Sequence, residues 1–310
     1  MTRAIYVIGS LTLVLITSYT HAATLSDFKT VQIKSTADGT DQPSRVFIPE
    51  QAKTQPVPLL VWLHSWSADY KQDDPAKAMI PEAGRLGWAV VMPNFRGPNK
   101  QPKACASDLA VQDVLDAVAY VRKNAKIDAK RIYVAGASGG GHMTLVMATR
   151  APELWAAASA WVPISDLTAW HAETKQAGRK YWKMIEASTG GPPGASAEVD
   201  AEYRKRSPLF HLDKAKGLPI DINAGTHDGH TGSVPISHTL LAFNRLAEIN
   251  GHAKAKLTAA HIDSMTATRK VPAPLADENA NDDPDRKHKV LFRRTAGPAR
   301  VTIFEGGHES

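Results

Sequence analysis

The sequence predicts an α/β fold, a mostly parallel central sheet flanked by helices, on three observations. Strand-like and helix-like patterns alternate from Val31 onward, as a sheet covered by crossover helices requires. Runs such as residues 58–63 and 88–92 are continuously apolar, which is expected of strands buried on both faces. Finally, 310 residues with 43% hydrophobic and 22% charged content suffice for one large core, so no disulfide framework is needed. Cys105 is the single cysteine, which excludes an intramolecular disulfide and, with it, disulfide-scaffold and cysteine-cluster classes.

The elements follow in order. Residues 45–48 stop at Pro49 and read as an early edge strand, and 58–63 as a buried one. Residues 76–86 form a helix ending at Gly87, then 88–92 form a strand halted by Pro93. Leu109, Val111, Val114, Leu115, Val118 and Val121 keep helical spacing over 108–124, with Ser107 or Asp108 as N-cap. A short strand at 131–135 leads into a helix at 140–150, closed by Pro152, and 156–162 is the next apolar strand. Residues 166–208 are helical and polar, carry Trp170, Tyr181 and Trp182, and read as a small cap inserted over the sheet. The sheet resumes at 218–224, a helix covers 234–249, and 252–284 is expected to be irregular. The last strand is 301–304.

The N-terminus reads as processing rather than structure. Arg3 precedes an uncharged stretch from Ala4 to Thr20, which exits through His21-Ala22-Ala23. That pattern predicts a secretory signal peptide over 1–22 and a secreted or periplasmic catalytic domain over 23–310. No later run is long enough to span a bilayer, so stable membrane insertion after cleavage is not expected. The net charge of +6 sits in short clusters without aromatic interleaving, and no nucleic-acid partner is expected. Oligomeric state is not readable from the chain.

The sharpest chemical signal is Gly136-Ala137-Ser138-Gly139-Gly140 between a strand and a helix. A serine on that turn has its hydroxyl thrust out at the carboxyl end of the sheet. The Gly139 amide, at the helix N-terminus, can donate to a developing oxyanion. A serine hydroxyl needs a base oriented by an acid. Asp228 follows the strand at 218–224, and His308 follows the last strand through Gly306-Gly307, giving the order Ser, Asp, His. Asp221, His261 and His288 are weaker alternatives because none sits just past a strand end. The second oxyanion donor is expected from the backbone of Ser65 or Trp66, and His64 is expected to brace that loop or to meet substrate. Trp161, Trp170 and Trp182 are either packing residues or a platform for a sugar or phenolic ring. No metal or cofactor is called for: His227 and His230 flank a carboxylate already required elsewhere, and no ligand set accompanies them.

These pieces together resemble the catalytic domain of the prolyl oligopeptidase family, within the α/β-hydrolase superfamily. The matching residues are Leu63-His64-Ser65-Trp66, Asn94-Phe95-Arg96-Gly97-Pro98, Asp113, the Gly136 to Gly140 turn, Gly225 to Asp228 with Val234-Pro235, and Gly306-Gly307-His308. The resemblance implies a cofactor-free Ser138–Asp228–His308 triad acting on esters or amides. No stretch is repetitive enough for the β-propeller of prolyl oligopeptidases proper, which shifts the expectation towards stand-alone esterases. A small-molecule or polysaccharide-linked ester, such as an acetyl or feruloyl ester of a plant polysaccharide, is then the expected substrate. The alternatives are a peptidase on short peptides and a catalytically dead carbohydrate-binding relative. Family members continue past the histidine into a closing helix, and the chain stops at Ser310, so that helix is expected to be missing.

Overall fold

The computed structural model describes residues 23–276 and 286–309; the expected signal peptide at 1–22 lies outside them. The strands are β1 (Lys29–Lys34), β2 (Asp41–Phe47), β3 (Val57–Leu63), β4 (Ala89–Pro93), β5 (Ile127–Ala137), β6 (Ala157–Trp161), β7 (Ile220–Gly225), β8 (Val290–Ala296) and β9 (Ala299–Phe304). They form one nine-stranded sheet in the order β1-β2-β4-β3-β5-β6-β7-β9-β8. The six central strands from β4 to β9 are parallel, and β1, β2 and β8 pair antiparallel at the margins. The expected edge strand near residue 45 is therefore second from the edge, since β1 covers it.

The helices are α1 (Asp73–Leu86), α2 (Asp108–Asn124), α3 (Gly139–Arg150), α4 (Leu167–Gln176), α5 (Tyr181–Thr189), α6 (Ala197–Arg206), α7 (Ser237–Ile249), α8 (Ala259–Thr268) and the single turn α9 (Ala273–Ala276). Alternation along β3 explains the layering. Val61 and Leu63 face a core shared with Val114 and Val118 of α2, Leu145 of α3 and Phe243 of α7, while Trp62 faces Ile80 and Ala83 of α1. Side chains that deep contribute about 1.5–3 kcal/mol each, so β3 and its neighbours hold the scaffold rigid. Ser107 caps α2 by accepting from the Ala110 amide at 3.1 Å.

Two expectations need correction. Residues 252–284 are not irregular throughout: α8 and α9 lie within them, and residues 277–285 are outside the described part. β8 was not anticipated, and it closes the sheet as a hairpin with β9. Helices α4, α5 and α6 occupy the 166–208 stretch and pack Leu167, Trp170, Ile185 and Tyr203 against Trp66 and Val234, which follow strand ends. Among the described residues no helix is long and apolar enough to cross a membrane.

Candidate active site

β5 runs into α3 through a single strained residue. Ser138 has φ 58° and ψ −118°, a backbone state that costs roughly 1–3 kcal/mol, and its amide donates to Trp161 O at 2.9 Å. The two glycines that follow are dictated by space. A Cβ on Gly139 would overlap the backbone N and Cα of Trp66, and one on Gly140 would overlap the Leu63 carbonyl. The strand, the turn and the loop after β3 can approach one another only without those side chains.

The carboxylate and imidazole arrive from the ends of β7 and β9. His308 Nδ1 lies 2.7 Å from Asp228 Oδ2. Asp228 is 2% exposed, and its Oδ1 accepts from the Gly229 amide at 2.8 Å and the Val234 amide at 3.1 Å. Three donors therefore satisfy a buried carboxylate and fix its orientation. Ser138 and His308 line one cavity of about 700 Å³. Glu309 steadies the turn carrying the imidazole: its Oε1 accepts from the Gly307 amide at 3.1 Å and its Oε2 lies 3.2 Å from His288 Nε2. The Gly307 bond holds the Glu309 carboxyl below its ordinary pKa.

The loop after β3 supplies the second wall. The Ser65 amide, one of the two expected oxyanion donors, donates instead to Gln72 Oε1 at 2.8 Å. The Trp66 amide adjoins Gly139 across the gap that forbids a Cβ, and Gly139, as the first residue of α3, has an N–H with no helical acceptor. The Trp66 carbonyl is held from behind by the Asn99 amide at 2.9 Å. His64 is buried and stacks on Phe95 with centroids 3.9 Å apart. Its Nδ1 lies 2.9 Å from Ser65 O and its Nε2 2.8 Å from Asn94 O. Burial pushes its pKa down, and a neutral ring can donate to one of these carbonyls at a time.

His64 and three of the tryptophans are not among the cavity-lining residues. His64 is enclosed by the loop it braces. Trp170 is fully buried, donates Nε1 to Ser233 O at 2.7 Å and packs edge-on to Trp66. Trp161 donates to Ser159 Oγ at 3.0 Å under the Arg286 guanidinium. Trp182 carries Lys175 and Lys183 over its ring, outside the cavity. The aromatic residues that line it are Trp66 and Tyr181, the latter stacked on Trp170 at 5.1 Å. Gln72, Asp74, Lys287 and Glu309 also line the cavity and were not anticipated.

Of the weaker alternatives, Asp221 pairs with Arg300 at the far end of β7 and His261 lies on α8. Among the described residues no cluster of three or more His, Cys, Asp or Glu side chains could hold a metal. Burial pushes the Cys105 thiol up to about 11, which leaves it protonated and unreactive at neutral pH.

Residues 82–264 match the prolyl oligopeptidase family. Acylamino-acid-releasing enzyme 2 of Oryza sativa subsp. japonica is 29% identical over 177 residues, 54% of this chain and 22% of its own length. Acylamino-acid-releasing enzyme 1 of the same plant is 26% identical over 180 residues, again 22% of its length, so the chain spans about a fifth of these relatives. The solved acylaminoacyl peptidase of Pyrococcus horikoshii superposes with a TM-score of 0.58 at 20% identity, over 72% of this chain and 35% of that one. A fluorophosphonate-binding serine hydrolase of Staphylococcus aureus gives 0.51 at 20% identity, over 65% of this chain and 80% of that one. At such identities these structures speak to the fold.

Proposed function

From a chain that belongs to the prolyl oligopeptidase family and carries the α/β-hydrolase fold, a serine hydrolase, we propose that it cleaves carboxylic esters through an acyl-enzyme on Ser138. The observation that carries this reading is the 2.7 Å contact between His308 Nδ1 and buried Asp228, in the wall of the cavity that Ser138 also lines.

Ser138 Oγ attacks the acyl carbonyl carbon while His308 Nε2 takes its proton, and Asp228 stabilises the imidazolium and fixes the tautomer. The carbonyl oxygen, now negative, accepts from the Gly139 and Trp66 amides. Collapse expels the alcohol, which takes the proton from His308. Water then repeats the sequence on the acyl-enzyme and releases the acid. A cavity of about 700 Å³, lined by Val162, Tyr181, Asp74 and Lys287 among others, has room for an acyl group as large as an aromatic one.

A second reading, hydrolysis of acylaminoacyl or short-peptide amides, draws support from the names of the matched relatives. The same residues would serve, with His308 protonating the departing amine. Fluorophosphonate labelling, followed by parallel assays on acetyl, butyryl and feruloyl esters and on acylaminoacyl amides, separates the readings. Ser138→Ala should lose both labelling and turnover while keeping its melting temperature. Substantial turnover in that variant rejects the assignment, and polysaccharide binding without labelling of the wild-type chain points to a non-catalytic relative.

A further inference from the structure

Gln72, at the start of α1, reaches back into the site in a way the mechanism does not use. Its Oε1 accepts the Ser65 N–H at 2.8 Å and its Nε2 donates to Ser65 Oγ at 3.1 Å. Ser65 Oγ in turn lies 3.4 Å from the carbonyl of Ala137, the residue before Ser138. One peptide further on, His64 Nδ1 lies 2.9 Å from Ser65 O, and that carbonyl shares its rigid peptide plane with the Trp66 N–H. Of two successive peptide units, Gln72 holds the first, and His64 lies against the second and holds it when its proton is on Nδ1.

We propose that Gln72 is a positioning residue for the oxyanion site: it engages the Ser65 amide and hydroxyl and so leaves the Trp66 amide, beside Gly139, as the second donor. The inference rests on the acyl-hydrolase reading above. Without that clamp the Ser65 amide would be free to swing toward the same anion, and the Trp66 amide would lose its fixed direction. Glutamine suits the task because one flat group offers an acceptor to the N–H and a donor to the hydroxyl. A glutamate would still accept from the amide. It would also force Ser65 Oγ to donate to it, breaking the tether to Ala137 and setting a negative charge beside the developing oxyanion.

The test compares Gln72→Leu, Gln72→Asn and Gln72→Glu with the wild-type full chain, using a p-nitrophenyl ester, a trifluoromethyl ketone as tetrahedral mimic and fluorophosphonate titration of active sites. Loss of donor alignment should lower kcat about ten- to a hundredfold, with KM within about threefold of wild type. Affinity for the trifluoromethyl ketone should fall by the same factor as kcat/KM, because both report binding of the tetrahedral oxyanion. Melting temperatures should stay within about 2 °C of wild type, a small shift for a domain of this size. Gln72→Asn, neutral and too short to reach Ser65, guards against a Gln72→Leu chain that fails to fold and separates lost positioning from the added charge of Gln72→Glu. The proposal is overturned if kcat stays within about threefold of wild type, or if ketone affinity does not track kcat/KM. A wild-type chain that neither labels nor turns over any ester or amide overturns the underlying reading, and this one with it.

Discussion

Replacing Asp228 with asparagine exchanges one oxygen for an NH2 group and leaves the shape unchanged. Two backbone amides, Gly229 at 2.8 Å and Val234 at 3.1 Å, point at Oδ1, and His308 Nδ1 meets Oδ2 at 2.7 Å. The new side chain must keep its carbonyl where those two amides point, since turning its NH2 toward them would set donors against donors. Its NH2 group is thereby forced opposite His308 Nδ1. An Nδ1–H cannot donate to it, so the ring shifts its proton to Nε2, the atom that in the proposed mechanism must be free to take the Ser138 proton. A triad held in the wrong tautomer loses about 10⁴ in kcat, roughly 5 kcal/mol at about 1.4 kcal/mol per decade. Stability should move by less than about 1 kcal/mol, because both backbone donors keep their acceptor. The assay is p-nitrophenyl acetate hydrolysis normalised by fluorophosphonate titration, with a thermal melt alongside. A variant that keeps more than about a tenth of the wild-type kcat/KM refutes the tautomer argument, since one decade is what a single neutral hydrogen bond supplies.

Gly139→Ala would drive a methyl into the Trp66 backbone, so kcat should fall at least about a hundredfold; an unchanged kcat would show that the two amides do not share the oxyanion. Buried His142, with Nε2 2.7 Å from Arg206 O, has its pKa pushed by burial from 6.5 down to about 4. The unfolded chain therefore binds the extra proton first, and the stability held above pH 6.5 is lost as pH falls towards 4, by roughly 3 kcal/mol over that window. Urea titrations of wild type and His142→Gln at both ends of the window check it, the variant being expected to lose much of the pH dependence. Arg96 makes two bonds to buried Asp113, at 2.6 and 2.9 Å. Arg96→Met strands that carboxylate and should cost about 3–5 kcal/mol in chemical denaturation; a loss under about 1 kcal/mol would contradict the burial argument.

The residues that sequence reading reaches are those whose signal is local. Helix α2 is legible at both ends because six apolar positions at helical spacing follow a serine cap. Ser138 is legible because its small neighbours announce a tight strand-to-helix turn, and Asp228 and His308 because each lies just past a strand end. β8 is obscured by Arg293 and Arg294, which a marginal strand can hold on its half-buried positions and which read as a basic cluster. In α8 only Ile262 and Met265 are buried, too little periodicity to stand out. Tyr181 lines the cavity and the adjacent Trp182 does not, because neighbouring residues on a helix point about 100° apart and pattern alone does not give that rotation. Gln72 left no trace, since its partner Ser65 is brought to it only by the loop.

The strained backbone explains why such loops matter. Phe95 (φ 30°), Arg96 (φ 77°), Ser138 (φ 58°) and Val162 (φ 41°) all follow the carboxyl ends of parallel strands, and Cys105 (φ 52°) and Ala106 (φ 57°) precede α2. At roughly 1–3 kcal/mol each, these residues persist only because their neighbours over-determine them. Phe95 is stacked on His64, Arg96 is held by Asp113 and Asp38, and the Val162 amide donates to Asn223 O at 2.7 Å. The Cys105 amide donates to Asn99 Oδ1 at 2.8 Å, while the Asn99 amide donates to the Trp66 carbonyl. The restraints from residues 94–106 therefore converge on the turn that carries the Trp66 amide, although none of those residues lines the cavity. A frame of this kind spends stability to aim a backbone N–H, because a main-chain donor has no rotamer of its own and can be directed only through the loop that bears it.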